Sequence, residues 1–152
     1  MNIEETIKKH IARVHDLMYF CSNEISRRAF CHDKSKLQSP EKELYEEITP
    51  QLSELKYGSQ EYLDVIAKLS PALKHHYENN SHHPEHYIDG MDGMDLFDIM
   101  ELFCDWKAAS ESQKNGSFAD SIRIGQARFN ISPQLVNIFV NTMTRYIKFD
   151  DD

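Results

Sequence analysis

Glycine and proline are scarce, at 5 residues each in 152, which leaves too little turn-forming material for a sandwich or barrel of many short strands. Helices are therefore expected. Cys21, Cys31 and Cys104 are odd in number and lack CxxC spacing. That excludes a disulfide framework or a zinc knuckle and makes them reduced thiols, expected as small buried hydrophobes. Long apolar runs are missing, with none approaching the roughly 20 residues that cross a bilayer, and the opening MNIEETIKKH lacks the apolar stretch of a signal peptide. A cytosolic protein with no membrane partner is expected. Basic charge is also short: the formal net charge of −8 argues against polymeric nucleic acid, whose binding needs clustered Lys and Arg, and favours a small substrate.

What is present fits one ordinary domain spanning residues 1–152, with its core over about 3–148. Hydrophobic residues at 40% and charged residues at 28% suit a folded globular chain and not a disordered one. From Ile3 to about Ser22 the apolar residues Ile7, Ile11, Val14, Leu17, Met18 and Cys21 recur at helical spacing and predict a buried stripe that includes His10. A break near Asn23 is expected, with a second helical stretch over 23–34 folding back beside the first. Ser39-Pro40 predicts a helix over 41–48, with a looser stretch between Pro50 and Gly58. A helix over 59–69 follows, and Ser70-Pro71 restarts a turn carrying ALKHHYE. NNSHHPEHYIDGMDGM has no period and predicts a loop. Helices are expected over Asp95–Ser112, Phe118–Phe129 after Asn115-Gly116, and from Ser132-Pro133 to about Ile147, before a frayed acidic FDDD end. The fold class is an all-α bundle of six to seven helices.

Histidine is the excess that needs a reason, with 8 in the chain and five of them within His75–His86. His32 and Asp33 are adjacent, and neighbouring helix residues point about 100° apart, so both reach one ion only in a groove between helices. His10, 22 residues earlier on the expected buried stripe, is a third candidate ligand. Asp98, Glu101 and Asp105 share one helix face, and one of them would complete the shell. Imidazole and carboxylate ligands suit Mn, Fe, Co, Ni or Zn, and Mg as well; the ligand set alone does not choose among them. The second His-Asp pair, His15-Asp16, is followed by LMYF and reads as structural.

The order His10, His32-Asp33, Asp105 resembles the HD-domain superfamily of metal-dependent phosphohydrolases. HDKSK is similar to that family's HDxxK form, which implies Lys36 on a substrate phosphate, and CDWKAAS resembles the helix that supplies its last Asp, which favours Asp105 over Asp98. KHHYENNSHHPEH followed by GMDGMDL and DW resembles a small bacterial and phage branch. Some branches place further histidines before the last Asp, which implies a second metal held by His75 or His76 and His82 or His83.

The resemblance implies a phosphohydrolase acting on a small phosphate ester, a nucleotide being the leading substrate. A bound water acidified toward neutrality would be the nucleophile. Lys36, His76 and His83 would offset phosphoryl charge, and Glu101 would relay a proton. Two alternatives stand beside it: a mixed-valent di-iron oxygenase, and a non-catalytic nucleotide- or protein-binding module with a structural metal. Many small relatives of this type form dimers, so a homodimer is the association the resemblance implies, with no interface identified in the sequence.

Overall fold

The computed structural model describes residues 2–53, 55, 60–112 and 116–147, and these are helical with no strand among them. Seven α-helices follow in order: α1 (Ile3–Cys31), α2 (Glu41–Ser53), α3 (Gln60–Ala67), α4 (Ser70–Asn79), α5 (Leu96–Glu111), α6 (Phe118–Phe129) and α7 (Pro133–Tyr146). Short 3-10 turns at Lys34–Leu37, Pro84–His86 and Gly90–Gly93 link them. The all-α bundle expected from composition is what the chain forms. The FDDD end, Gly58 and Asn115 lie outside the described residues.

Local sequence sets the boundaries. Asn2 caps α1 by accepting from the Glu4 amide, and Asp95 and Asp98 form a reciprocal capping box at the start of α5. Ser117 and Ser132 cap α6 and α7, and proline occupies the first turns of α4 and α7, where its missing N–H costs nothing. Helix α2 runs through Pro50 to Ser53, five residues past its expected end at 48.

The expected break near Asn23 is absent. Ser22, Asn23 and Glu24 are weak helix formers at worst, each costing a few tenths of a kcal/mol, roughly, and no Gly or Pro interrupts the run. Helix α1 is therefore one rod of 29 residues. Its apolar stripe is not buried: Ile11 is 61% and Met18 67% exposed. Cys21, Cys31 and Cys104 are exposed free thiols and not the small core residues expected.

Packing divides into two apolar clusters. Leu102, Phe103, Phe118, Ile122, Phe139 and Met143 join α5, α6 and α7, with Phe103 edge-on to Phe118 at 5.3 Å between centroids. Gly125 lets the Trp106 ring lie against α6, since a Cβ there would stand only 2.0 Å from the indole. Ile48, Leu69 and Ala72 form the second cluster, joining α2 to α4 and to the turn before it. The last turns of α1 pack on α5, and a polar junction forms there.

Candidate metal centre

Helix α1 ends at Cys31, where His32 turns extended and Asp33 adopts a left-handed backbone at φ 54°. Asp tolerates that region better than most residues. The turn lets His32 and Asp33 face α5 and α4 together and brings Lys36 back onto Asp33, Nζ to Oδ2 at 2.6 Å.

Two carboxylates orient the imidazoles, and a third anchors the loop beside them. Glu101 Oε1 accepts from His32 Nδ1 at 2.9 Å and lies 3.2 Å from His82 Nδ1, while Arg28 donates to Oε2 at 2.8 Å. Glu41, fully buried, accepts from His76 Nδ1 at 2.9 Å and from His75 Nδ1 at 2.7 Å. Asp98, also fully buried, accepts from Arg28 at 2.8 Å, Ser81 at 2.6 Å, Tyr87 at 2.7 Å and the Asp95 amide at 3.0 Å. It thereby ties the histidine loop to α1 and α5. A carboxylate on Nδ1 fixes the tautomer and presents Nε2 as a lone pair, the arrangement that supports metal-bound histidine.

Those lone pairs converge on Asp33. His76 Nε2 lies 3.3 Å and His82 Nε2 3.6 Å from Asp33 Oδ1, and His83 Nε2 is 2.9 Å from His76 Nε2. Asp33 Oδ1 and His82 Nε2 are shut off from solvent and make no hydrogen bond. On the other side of the same carboxylate, His32 Nε2 lies 3.6 Å from both Asp33 Oδ2 and Asp105 Oδ1. Ligands at about 2.1 Å from an ion stand about 3.0 Å apart at octahedral angles and about 3.4 Å apart at tetrahedral ones. The observed spacings bracket those values, so the residues fit a divalent ion.

Two donor groups result: Asp33, His76, His82 and His83, and His32, Asp33 and Asp105, with Asp33 common to both. A third group, His32, His82 and Glu101, already closes through its own hydrogen bonds and serves to orient the rings.

In the metal-free protein, charge and burial set the protonation from which each donor starts. Asp105, then Glu101, raise His32 to about 10. Burial pulls His83 down to about 3, with His82 and His76 adding to it, so His83 is neutral and able to ligate. Burial works to raise Asp33, Glu101 and Asp105, but hydrogen bonds outweigh it and hold all three below the usual carboxylate range. The groups responsible are His76, 3.3 Å from Oδ1, and the hydrogen-bonded Lys36 for Asp33, His32, His82 and Arg28 for Glu101, and His32 for Asp105. An open cavity of about 240 Å³ between α1 and α5, lined mainly by Ile25, Ala29, Cys104 and Ala108, reaches His32, Glu101 and Asp105.

The structure brings together His32, Asp33, Lys36, His76, His82, His83, Glu101 and Asp105. His10 is not among them. It is exposed, and with α1 unbroken it stands about 33 Å along the helix axis from His32. The fold-back that was to deliver it does not occur, and His76 and His82 supply the imidazoles instead. His75 serves Glu41 and reaches neither donor group. Glu101, expected as a proton relay, has both oxygens engaged and acts as an orienting group. His15-Asp16 sits exposed on α1, away from the centre.

Sequence reasoning missed Arg28, Glu41, Ser81 and Tyr87. Arg28 was detectable, one helical turn before His32 and on the same face. Glu41 carried no signal, because nothing in a helix start at Ser39-Pro40 points to a histidine 35 residues away.

A family model described as "Family of unknown function (DUF5662)" matches residues 1–145, and the chain belongs to that family. No curated protein and no solved structure matches the chain.

Proposed function

We propose that this family member binds one or two divalent transition metals and is a phosphohydrolase of the HD type, acting on a small phosphate ester with a nucleotide as the leading substrate. One observation carries the metal: His32, His76 and His82, each with Nδ1 on a carboxylate, aim Nε2 at Asp33 and Asp105, and at their meeting point Asp33 Oδ1 and His82 Nε2 are buried with no hydrogen bond. Buried polar atoms left unpaired are costly, and a cation seated among these donors would satisfy both.

A bound ion supplies Lewis acidity and lowers the pKa of a coordinated water toward neutrality. The protein's own groups divide the remaining work. Lys36, partly exposed and kept charged by Asp33 although burial opposes it, places a cation beside the centre for a phosphate oxygen. The apolar cavity walls offer a seat for the organic part of the ester. Glu41 and Glu101 hold the ligating rings in register, and Arg28 holds Glu101.

The test is phosphate release from a panel of nucleoside phosphates by protein loaded with Mn, Co or Mg, beside a H32A/D33A variant. Release that disappears in the variant supports the proposal. Silence across the panel from metal-loaded protein overturns the hydrolase reading.

Asp33 straddles two donor groups, and this one feature favours a second reading, a mixed-valent di-iron oxygenase. Two irons per chain and an electron-spin signal after partial reduction would select it, and absence of that signal in iron-loaded protein would dismiss it.

A further inference from the structure

The stripe Ile7, Ile11, Val14, Met18 and Cys21 lies on one side of α1, spaced alternately four and three residues apart, and no residue of α1 is buried. Among the described residues α1 makes its main helix contacts with α5, and these involve its last turns, from Ile25 and Arg28 to His32. About 20 residues of helix therefore project without a partner. Most helical stability in proteins comes from packing of an amphipathic face, and here that face has none within its own chain among the described residues.

Surface area indicates how much is to be covered. The chain exposes 11247 Å², whereas a compact monomer of 17.8 kDa exposes about 8,000 Å². The excess of about 3,000 Å² per chain is more than an obligate homodimer interface commonly takes from each partner, about 1,000–2,500 Å².

The stripe is also self-complementary. Its positions are symmetric about Asp16, so a two-fold axis there sets Ile7 against Ile25 of the partner subunit, Ile11 against Cys21 of the partner subunit and Val14 against Met18 of the partner subunit. An isologous contact requires that symmetry, and the alternating spacing is that of knobs-into-holes packing. Direction follows from α5, which already packs on the same face of α1 at Ile25 and Arg28. A parallel pair would drive both α5 helices into the same space. An antiparallel pair sends the two bodies to opposite ends and lays each copy's first turns over the lip of the other's cavity at Ile25.

We infer that the protein is a homodimer joined through the Ile7–Ile25 face of α1, antiparallel about Asp16. Sedimentation equilibrium of the full chain should give twice the monomer mass across the micromolar range. I11E/V14E should sediment as a monomer while keeping its far-UV helical signal, and Ala12→Glu, on the opposite side of α1, should remain dimeric. Mild oxidation should cross-link the I11C chain through Cys21 of the partner subunit and leave wild type uncross-linked, since two Cys21 residues stand about 15 Å apart along the axis. A monomeric wild type, an I11E/V14E dimer, or efficient wild-type cross-linking through Cys21 would each overturn the inference. None of these readouts depends on metal or activity.

Discussion

Glu101→Gln is the most informative single substitution, because one carboxylate aligns two imidazoles. Its Oε1 takes His32 Nδ1 at 2.9 Å and faces His82 Nδ1 at 3.2 Å, and Oε2 takes Arg28 at 2.8 Å. Glutamine preserves the shape but has one oxygen. If that oxygen faces the histidines, the amide N–H₂ meets the Arg28 guanidinium, donor against donor. If it faces Arg28, the amide meets two Nδ1–H groups and drives those rings to the other tautomer, placing protons where the ion should bind. Either orientation weakens the site without removing a ligand, and such orienting partners are worth about 10- to 100-fold in metal affinity, or about 1.4–2.7 kcal/mol. Competition against a chromophoric chelator with Zn or Co reads the affinity directly, and thermal melts of the metal-free variant check that it folds. A folded E101Q chain with affinity within threefold of wild type would refute the orienting role.

Three further outcomes are expected. His32 must shed its proton to ligate, and Asp105 and Glu101 raise it to about 10 in the metal-free protein, so metal binding near neutral pH should release about one proton. Calorimetry in buffers of different ionisation enthalpy measures it, and release should vanish as the pH passes about 10; no buffer dependence would count against the site. Tyr87→Phe removes the 2.7 Å bond to the buried Asp98 and should cost about 1–2 kcal/mol in urea unfolding, with a change within 0.5 kcal/mol, roughly, refuting the clamp. Gly125→Ala places a methyl against the Trp106 ring and should destabilise by about 1–3 kcal/mol. Most of that should return when Trp106→Leu is added, and no recovery would locate the strain elsewhere.

The helices of the C-terminal half were legible because their signals are local. Asp95, Ser117 and Ser132-Pro133 announce the starts of α5, α6 and α7 by capping chemistry that acts within one turn. The site was legible as a set of residue types and less so as a set of positions. His32, Asp33 and Asp105 do come together, but choosing His76 over His75 required knowing that Glu41 stands across from α4. His10 shows how the reading goes wrong. An apolar stripe at helical spacing says that a face is covered, not by what, and burial within the same chain was assumed for Ile7, Ile11 and Val14. Those residues are exposed, so the break near Asn23 lost its purpose and His10 lost its route to the centre.

The polar centre stands between two apolar clusters, Leu102–Met143 and Ile48–Ala72, and its charges do joining work that neither cluster does alone. Without metal, that joint depends on pH from both sides. His32, raised to about 10 from an ordinary value near 6.5, roughly, contributes in full below pH 6.5 and loses its contribution as the pH climbs toward 10. Asp33, Glu101 and Asp105 are lowered, so they contribute above the ordinary carboxylate range, about pH 4, and lose it as the pH falls below. His83, lowered to about 3, costs stability as the pH falls below its ordinary value near 6.5, roughly, so metal-free protein should be most stable near pH 6.5, roughly, and weaken toward alkaline pH. An ion that holds His32 Nε2 without a proton removes the alkaline limb. Urea unfolding at pH 6 and pH 9 checks this with two probes, far-UV circular dichroism for all helices and fluorescence of Trp106, the single tryptophan, packed at the α5–α6 contact. In metal-free protein at pH 9 the midpoint should fall and the two probes should separate as the joint weakens. In metal-loaded protein the midpoint should hold and the probes should coincide. An alkaline decline of equal size with and without metal would show that the junction owes nothing to an ion.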